Sequence, residues 1–162
     1  METDFLHPTL RALRRLLRVT ELGGKQLAAV TGLTTSQLMV LQEVDRGGEV
    51  MPSAVAHALQ FSQATITTLV DRLVAVGLVT RQRSDLDKRR MLLRITDEGR
   101  SVLNRAPDML QDRFGERYSS LPEWEQAMIL AGLERLSELL GASDIDAAPL
   151  LDSGPIDRGL QG

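Results

Sequence analysis

Basic and hydroxyl side chains are concentrated between Phe61 and Thr96, and their chemistry suits binding to a polyanion. Lys88, Arg89 and Arg90 are consecutive in a polar segment that separates two strand-like runs. Just before these runs, a predicted helix carries amide and hydroxyl groups on the face opposite its apolar residues. Cationic side chains neutralise phosphates, whereas amides and hydroxyls can hydrogen-bond to base edges in the major groove. The combination therefore indicates a reader of duplex nucleic acid.

No group of residues suited to catalysis or to metal binding is recognisable in the sequence. There is no cysteine, which excludes disulfides, thiolate metal sites and thiol-based redox sensing. His7 and His57 are too far apart in the sequence to indicate a metal site. A phosphate-binding loop and a nucleophile elbow are also missing. We therefore expect neither enzyme activity nor a cofactor.

The segment from residue 61 to residue 96 is predicted to fold as a helix followed by a β-hairpin. Ser62 is a suitable N-cap because its hydroxyl can accept a hydrogen bond from the first turn. Apolar residues then recur at helical spacing and predict a buried face: Ile66, Leu69, Val70 and Leu73. Gly77 ends this reader helix, since glycine readily adopts the left-handed conformation. Residues 78–83 and 91–96 are the predicted strands, and residues 49–51 can add a short strand beside them.

Three helices are predicted before the reader helix. Their approximate ranges are 5–30, 36–45 and 52–59. Gly23 and Gly24 should weaken or bend the first helix, whose expected buried residues are Leu6, Leu10, Leu13, Leu17 and Val30. Thr34 or Thr35 suits the cap of the second helix, and Pro52 suits the first turn of the third. The third helix and the reader helix are separated by a turn of two residues, which predicts a helix-turn-helix.

Two more helices are predicted after the hairpin. Thr96 is the expected N-cap of the first, and Pro107 should kink that helix or move its start. Its apolar stripe is Val102, Leu103, Ala106, Met109, Leu110 and Phe114. Ser120 and Glu123 read as a capping box for a last helix over 121–140, closed by Gly141. The apolar residues of that helix are Trp124, Ala127, Met128, Ala131, Leu133, Leu136 and Leu140.

Charge is distributed unevenly along the chain, although the formal net charge is only −3. Residues 61–100 hold eight Lys or Arg and five Asp or Glu. Residues 101–162 hold five basic and eleven acidic residues, and residues 1–60 hold six of each. Because phosphates respond to the local field, an acidic remainder is compatible with a basic nucleic-acid-binding region.

The order and spacing of several short motifs carry a family resemblance. They are Gly32-Leu33-Thr34, Gln37-Leu38, Val40-Leu41, Ser62-Gln63-Ala64-Thr65-Ile66-Thr67, Leu69-Val70-Asp71-Arg72-Leu73, Gly77-Leu78-Val79, Arg81, Asp87-Lys88-Arg89-Arg90 and Ile95-Thr96-Asp97-Glu98-Gly99. Over residues 8–141, this set resembles the MarR family of bacterial transcriptional regulators. The chain departs from the family at Gln60, where many relatives have glycine, and at Lys88, where arginine is frequent.

The resemblance implies a homodimer that binds pseudo-palindromic double-stranded DNA and commonly represses transcription. Arg89 would enter the minor groove at the tip of the hairpin, and Asp87 would hold it through a salt bridge. Major-groove contacts would come from Ser62, Gln63, Thr65, Thr67 and Thr68. The remaining DNA-binding candidates are Arg72, Arg81, Lys88 and Arg90. Strand arginines that contact phosphates and those that only face solvent look alike in a sequence, so Arg81 fits either description.

The predicted fold is mainly α with a small antiparallel β-wing, as a winged helix-turn-helix joined to a dimerisation domain of terminal helices. The expected parts are a dimerisation helix at 1–31, the DNA-binding domain at 32–96, dimerisation helices at 97–141 and a flexible tail at 142–162. The apolar faces of the terminal helices need a partner, because so large an exposed stripe is unusual on a monomer. A two-fold axis between chain ends would bury them.

Two alternatives remain at the level of the sequence. Winged helices can also act as protein-interaction modules, and some relatives bind DNA without responding to a ligand. For many relatives the effector is a small aromatic or phenolic anion bound between the dimer domain and the winged helix, and Arg14 and Arg18 are candidate partners for it. We expect a soluble, cytoplasmic protein, because no apolar run is long enough for a membrane span and the N-terminus lacks a signal-peptide pattern.

Overall fold

The computed structural model describes residues 4–108, 110–142 and 144–145, and the side chain of Gln111 is not described. The described chain consists of helices around one two-stranded antiparallel sheet. The elements in chain order are α1 (Leu6–Thr31), α2 (Thr35–Gly47), α3 (Pro52–Leu59), α4 (Gln63–Ala75), β1 (Val79–Arg83), β2 (Met91–Ile95), α5 (Asp97–Arg105), α6 (Leu110–Ser119) and α7 (Glu123–Leu139). The fold is therefore mainly α with a small β-wing, as predicted.

Threonine and serine hydroxyls begin three helices of the central part. Thr34 accepts from the backbone N–H of Gln37, whose side chain in turn accepts from the N–H of Thr34, so both partners of a capping box are present. Ser62 accepts from the N–H of Thr65 at the start of α4, and Thr96 accepts from Gly99 at the start of α5. Each cap satisfies a backbone donor that the first helical turn leaves unpaired.

One aliphatic core connects α2, α3, α4, the sheet and α5. Its largest fully buried apolar side chains are Leu38, Leu41, Ile66, Leu69, Leu73, Leu93, Val40, Val44, Val55, Val70 and Val79. α1 adds only Leu27 to the buried set, and α5 adds Val102 next to the buried Gly99. The compact unit therefore extends from the end of α1 to α5, and it fixes the orientation of α4 and of the sheet.

α1 is a single helix of 26 residues, and Gly23 and Gly24 lie within it. The prediction that Leu6, Leu10, Leu17 and Val30 are buried is wrong for the single chain, where all four are exposed. Leu13 is only half-buried. The helical period located the apolar face correctly, but no other element in the described part of the chain covers that face.

Pro107 separates α5 from α6 rather than kinking one long helix. α5 ends at Arg105, and Ala106 and Pro107 precede the start of α6 at Leu110. The residue before a proline is driven out of the helical region, and Ala106 indeed has ψ 135°. Met109, which was expected on the apolar stripe, lies outside the described residues.

The predicted capping box at Ser120 and Glu123 is wrong. The Ser120 hydroxyl donates instead to the Arg117 carbonyl at 2.6 Å, at the end of α6. Pro122 is the N-cap of α7, without a side-chain cap, and Glu123 is the first helical residue. The last helix thus starts two residues later than predicted. Gly141 does terminate it, with φ 66°, but most of the predicted tail at 142–162 lies outside the described residues.

Candidate nucleic-acid interface

α4 presents a polar face to solvent while its opposite face is fixed in the core. Four apolar residues are buried, with at most 1% of each residue's surface exposed: Ile66, Leu69, Val70 and Leu73. Because positions three and four apart share one side of a helix, this anchoring leaves a second row free. The exposed residues of α4 are Gln63, Ala64, Thr67, Thr68, Asp71 and Ala75. The helix therefore has the amphipathic build expected of a groove-binding element.

The turn before α4 has a left-handed residue that is not glycine. Gln60 has φ 57° and ψ 34°, a conformation that costs an L-residue roughly 1–2 kcal/mol. Its side-chain amide donates to the carbonyl of His57 at 2.8 Å, which offsets part of that cost. The backbone thus keeps the geometry that glycine favours, so the departure at Gln60 leaves the helix-turn-helix intact.

Four predicted contact residues of α4 already make local hydrogen bonds. Ser62 and Thr65 bond to each other, with 2.8 Å between their hydroxyl oxygens. The Thr67 hydroxyl donates to the Gln63 carbonyl at 2.9 Å, and the Thr68 hydroxyl donates to the Ala64 carbonyl at 3.1 Å. Ser62, Thr67 and Thr68 are exposed, whereas Thr65 is half-buried.

The wing consists of β1, β2 and the seven-residue tip between them, residues 84–90. The strands pair from Val79 with Ile95 to Arg83 with Met91. The strand predicted at 49–51 is reduced to one bridge, in which the backbones of Val50 and Leu93 exchange two hydrogen bonds of 3.2 and 2.8 Å. The bridge fastens the wing to the chain segment that follows α2.

Backbone and side-chain hydrogen bonds order the wing tip. Ser84 donates its N–H to the carbonyl of Arg90 at 3.0 Å, and Arg90 donates to the carbonyl of Asp87 at 2.8 Å. The Ser84 hydroxyl accepts from Leu86 and Asp87 at 3.3 and 3.4 Å. Leu86 is fully exposed. The tip is therefore a preformed turn that projects its side chains into solvent.

Asp87 does not form the predicted salt bridge with the Arg89 side chain. Its Oδ1 accepts from the backbone N–H of Arg89 at 3.0 Å, and its Oδ2 lies 3.4 Å from Nε of Arg90. The guanidinium of Arg89 has no ion pair or hydrogen bond within the part of the chain that the structure describes. Asp87 thus orders the backbone at Arg89, and the exposed Arg89 side chain is left available to a ligand outside the chain.

Two of the strand arginines are paired with carboxylates of the same chain. Nη1 of Arg81 lies 2.5 Å from Oδ1 of Asp71, so this pair joins β1 to the exposed face of α4. Arg94 pairs with Glu49. Both pairs are largely exposed, and such pairs contribute only about 0–1 kcal/mol to stability. Arg81, predicted to contact DNA, is therefore placed between the two elements that would meet the duplex.

A cleft lies between the middle of α1, the start of α2 and the connection from α5 to α6. Its lining includes Gly23, Gly24, Thr35, Asp108 and Arg113. Arg113 is the basic residue in this lining. The sequence analysis did not single it out, because it reaches the cleft only through the break at Pro107 that sets the position of α6.

Neither Arg14 nor Arg18 lines that cleft. Arg18 pairs with Glu21 at 2.8 Å, and Lys25 binds the other oxygen of Glu21 at 2.5 Å. Hydrogen bonds from Lys25 and from Arg18 lower the pKa of Glu21. Arg14 is exposed on α1.

Comparison with known proteins identifies the family. The model of the MarR family matches residues 31–90, from the end of α1 to the tip of the wing. Residues 31–90 belong to the MarR family of transcriptional regulators. The matched segment includes the helix-turn-helix, β1 and the wing tip.

Individual transcriptional regulators match over most of this chain. An uncharacterised HTH-type transcriptional regulator of Bacillus subtilis, YdgJ, is 25% identical over 82% of this chain and 81% of its own length. The structure of PcaV from Streptomyces coelicolor, in complex with its natural ligand, is 28% identical with a TM-score of 0.57, over 85% of this chain and 97% of that one. A mutant MarR from E. coli, complexed with operator DNA, is 22% identical with a TM-score of 0.53, over 83% and 99%.

Neither a membrane-spanning helix nor a cluster of metal-binding side chains is present in residues 4–108, 110–142 and 144–145. No helix in these ranges is long and apolar enough to cross a membrane. The same residues include no group of three or more His, Cys, Asp or Glu side chains placed to hold a metal ion.

Proposed function

We propose that this MarR-family chain acts as a homodimeric repressor that binds a pseudo-palindromic operator. The observation that carries the proposal is the joint placement of α4 and the wing tip: an anchored helix with a free polar face, beside an ordered turn with an unpaired Arg89. α4 lies in the major groove, and the wing tip follows the adjacent minor groove. The E. coli MarR structure with operator DNA supports this arrangement, because its fold is the same.

The wing tip supplies the electrostatic part of binding. Lys88, Arg89 and Arg90 are all exposed, and only Arg90 has a carboxylate partner within the wing tip, at 3.4 Å. A narrow minor groove has an enhanced negative potential that favours an inserted guanidinium. Arg89 fits this role, because its backbone is fixed by Asp87 while its side chain remains available.

The terminal helices supply the dimer. α1, α6 and α7 expose large apolar side chains, among which are Leu16, Leu17, Phe114, Trp124, Met128, Leu130 and Leu133. A second copy would bury these faces around a two-fold axis. Two copies of α4 about 34–36 Å apart would then meet successive major grooves on one side of the duplex.

The cleft beside Gly23 and Gly24 is the site we propose for a small effector. Arg113 gives it a cation for an anionic group, and the half-buried Leu110 gives it apolar surface. The structure of PcaV with its natural ligand supports the existence of an effector in this fold. Binding there would release DNA by changing the position of α1 and α6 relative to α2.

Arg89→Ala tests the proposed function. The probe is the DNA upstream of the protein's own gene, compared with a scrambled duplex over a salt series. Loss of a guanidinium contact should weaken specific binding by about 1–3 kcal/mol and make the salt dependence shallower. Arg105→Ala, which removes the same charge from α5, is the matched control and should bind like the parent. Equal binding of Arg89→Ala and the parent at matched salt would contradict the proposed role of the wing.

A winged-helix interaction module is the second candidate, favoured by the fully exposed Leu86 at the wing tip. The parent protein is compared on its upstream DNA and on the scrambled duplex. Equal affinity for the two would point to an interaction module or to a distant operator. A genome-wide DNA pull-down separates these two cases, because only a regulator with a distant operator enriches a defined sequence.

Arg113→Ala tests the effector cleft. The assay is release of the operator by small aromatic carboxylates, the ligand class suggested by the family. Loss of the cationic partner should raise the concentration needed for release about tenfold or more, since a hydrogen bond to a charged group contributes roughly 1.5–3 kcal/mol. Charge reversal at Arg14 and Arg18 is the comparison: an altered response there with an unaltered response in Arg113→Ala would place the effector on α1 instead.

A further inference from the structure

Three small residues form a methyl strip along the exposed side of α4: Ala64, Thr67 and Thr68. They are one turn or less apart and exposed, so they lie on the same face of the helix. Ala64 can offer only a methyl group to a ligand. The chemistry of the strip therefore differs from that of the longer polar side chains around it.

The two threonine hydroxyls of the strip have already used their protons. Thr67 donates to the carbonyl of Gln63 at 2.9 Å, and Thr68 donates to the carbonyl of Ala64 at 3.1 Å. A hydroxyl carries a single proton, so neither can donate to a phosphate or a base without breaking its bond to the helix. With the oxygen turned back against the backbone, the γ-methyl group becomes the part of each side chain that faces a ligand.

Residues at the two ends of the strip are polar, and one of them can supply hydrogen bonds to a base. Asp71, one turn after Thr67 and Thr68, is neutralised by Arg81 at 2.5 Å. Gln63 stands at the first position of α4, and its side-chain amide makes no hydrogen bond among the described residues. An amide of this kind can bind the N6 and N7 edge of adenine. Hydrogen-bonding readout and apolar readout are thus divided between Gln63 and the methyl strip.

We propose that the methyl strip recognises the 5-methyl groups of thymines in the major groove. Apolar contact with that methyl group is how alanine and threonine side chains distinguish thymine from the other bases. This inference rests on the proposed function, because it requires α4 to lie in the major groove. It adds that Thr67 and Thr68 select bases through carbon and not through their hydroxyl groups.

The first experiment removes single methyl groups from the DNA. The full-length protein selects its operator from a random duplex library, and each thymine of that operator is then replaced by deoxyuridine. Loss of one buried methyl corresponds to about 0.8 kcal/mol, so we expect about fourfold weaker binding at one or more positions in each half-site. If no deoxyuridine substitution weakens binding, the inference is overturned while the proposed function stands. If the library yields no preferred sequence, both fail.

The second experiment separates the methyl from the hydroxyl in the protein. Serine at position 67 or 68 keeps the hydroxyl and loses the methyl, whereas valine keeps the methyl and loses the hydroxyl. We expect Thr68→Ser and Thr67→Ser to lose the roughly fourfold preference for thymine over uracil, and the valine variants to retain it. Thermal unfolding checks that each variant is folded. The opposite pattern, with preference lost in the valine variants and kept in the serine variants, would assign recognition to the hydroxyls and overturn the inference.

Discussion

At the scale of single residues, the structure separates cations that are available to DNA from cations that are used within the chain. Sequence motifs placed Arg81, Arg89 and Arg90 together among the DNA-binding candidates and gave a defined groove position only to Arg89. The structure pairs Arg81 with Asp71 and Arg90 with Asp87, and leaves the Arg89 side chain without a partner among the described residues. The sequence identifies the basic residues, but only the folded hairpin shows which carboxylate lies next to each arginine.

The pair of Asp71 and Arg81 is predicted to position the wing relative to α4. Arg81→Gln and Asp71→Asn should each lower the free energy of unfolding by less than about 1 kcal/mol, because the pair is exposed. The free energy of operator binding should change by more than the free energy of unfolding, since the wing loses its link to α4. A double-mutant cycle on operator binding measures the coupling. If the effects of the two single variants add up to that of the double variant, the pair has no positioning role.

At the scale of elements, helix starts were the most predictable features, because a cap is a local contact between a side chain and a nearby backbone group. Thr34, Ser62 and Thr96 all cap as their sequence context indicates. Ser120 fails for an equally local reason: its hydroxyl bonds backwards to α6, and Pro122 takes the cap position with an extended backbone. A Ser-x-x-Glu pattern cannot show which of two adjoining helices will use its serine.

The contact of α5 with the wing leaves no room for a side chain at Gly99. A Cβ atom there would lie 2.4 Å from the Leu78 carbonyl oxygen and 2.6 Å from Cγ1 of Ile95. Gly99→Ala should therefore lower the free energy of unfolding by about 1–3 kcal/mol, as overpacking does, which urea denaturation measures. Gly132→Ala on α7 is the matched control, because among the described residues nothing beyond the adjoining helix backbone lies within 4 Å of its added Cβ. Equal stabilities for both variants would show that Leu78 and Ile95 can move away from position 99 without a cost in free energy.

At the scale of the whole molecule, the sequence located the apolar faces of the terminal helices but not their surroundings. Periodicity predicts which side of α1 is apolar, and the described chain leaves that side open. In the proposed dimer a second molecule buries that side, and no pattern within one chain can place a second molecule. The central winged helix was more predictable, because its core residues are covered by elements close to them in the sequence.

Leu133→Asp is predicted to break the proposed dimer. Leu133 is 46% exposed on α7, and a carboxylate in an apolar interface is costly to bury. Light scattering should show a monomer, and affinity for a two-half-site operator should fall by about 10²-fold or more, since the second half-site no longer binds as part of the same molecule. The control is Leu86→Asp at the wing tip, which should leave the oligomeric state as in the parent. A dimeric Leu133→Asp would place the interface elsewhere.

The crowded junction at Gly99 also has a mechanical consequence. Thr96 donates its hydroxyl to the Gly77 carbonyl and its N–H to the Leu78 carbonyl, while it caps α5. These hydrogen bonds join the wing to the start of α5, so a tilt of α5 would be transmitted to the wing. The five-residue strands extend about 17 Å from this junction, at about 3.4 Å per residue. A tilt of α5 by about 5° would thus move the far end of the strands by about 1.5 Å, roughly half the length of a hydrogen bond, which is enough to disturb the groove contact proposed for Arg89.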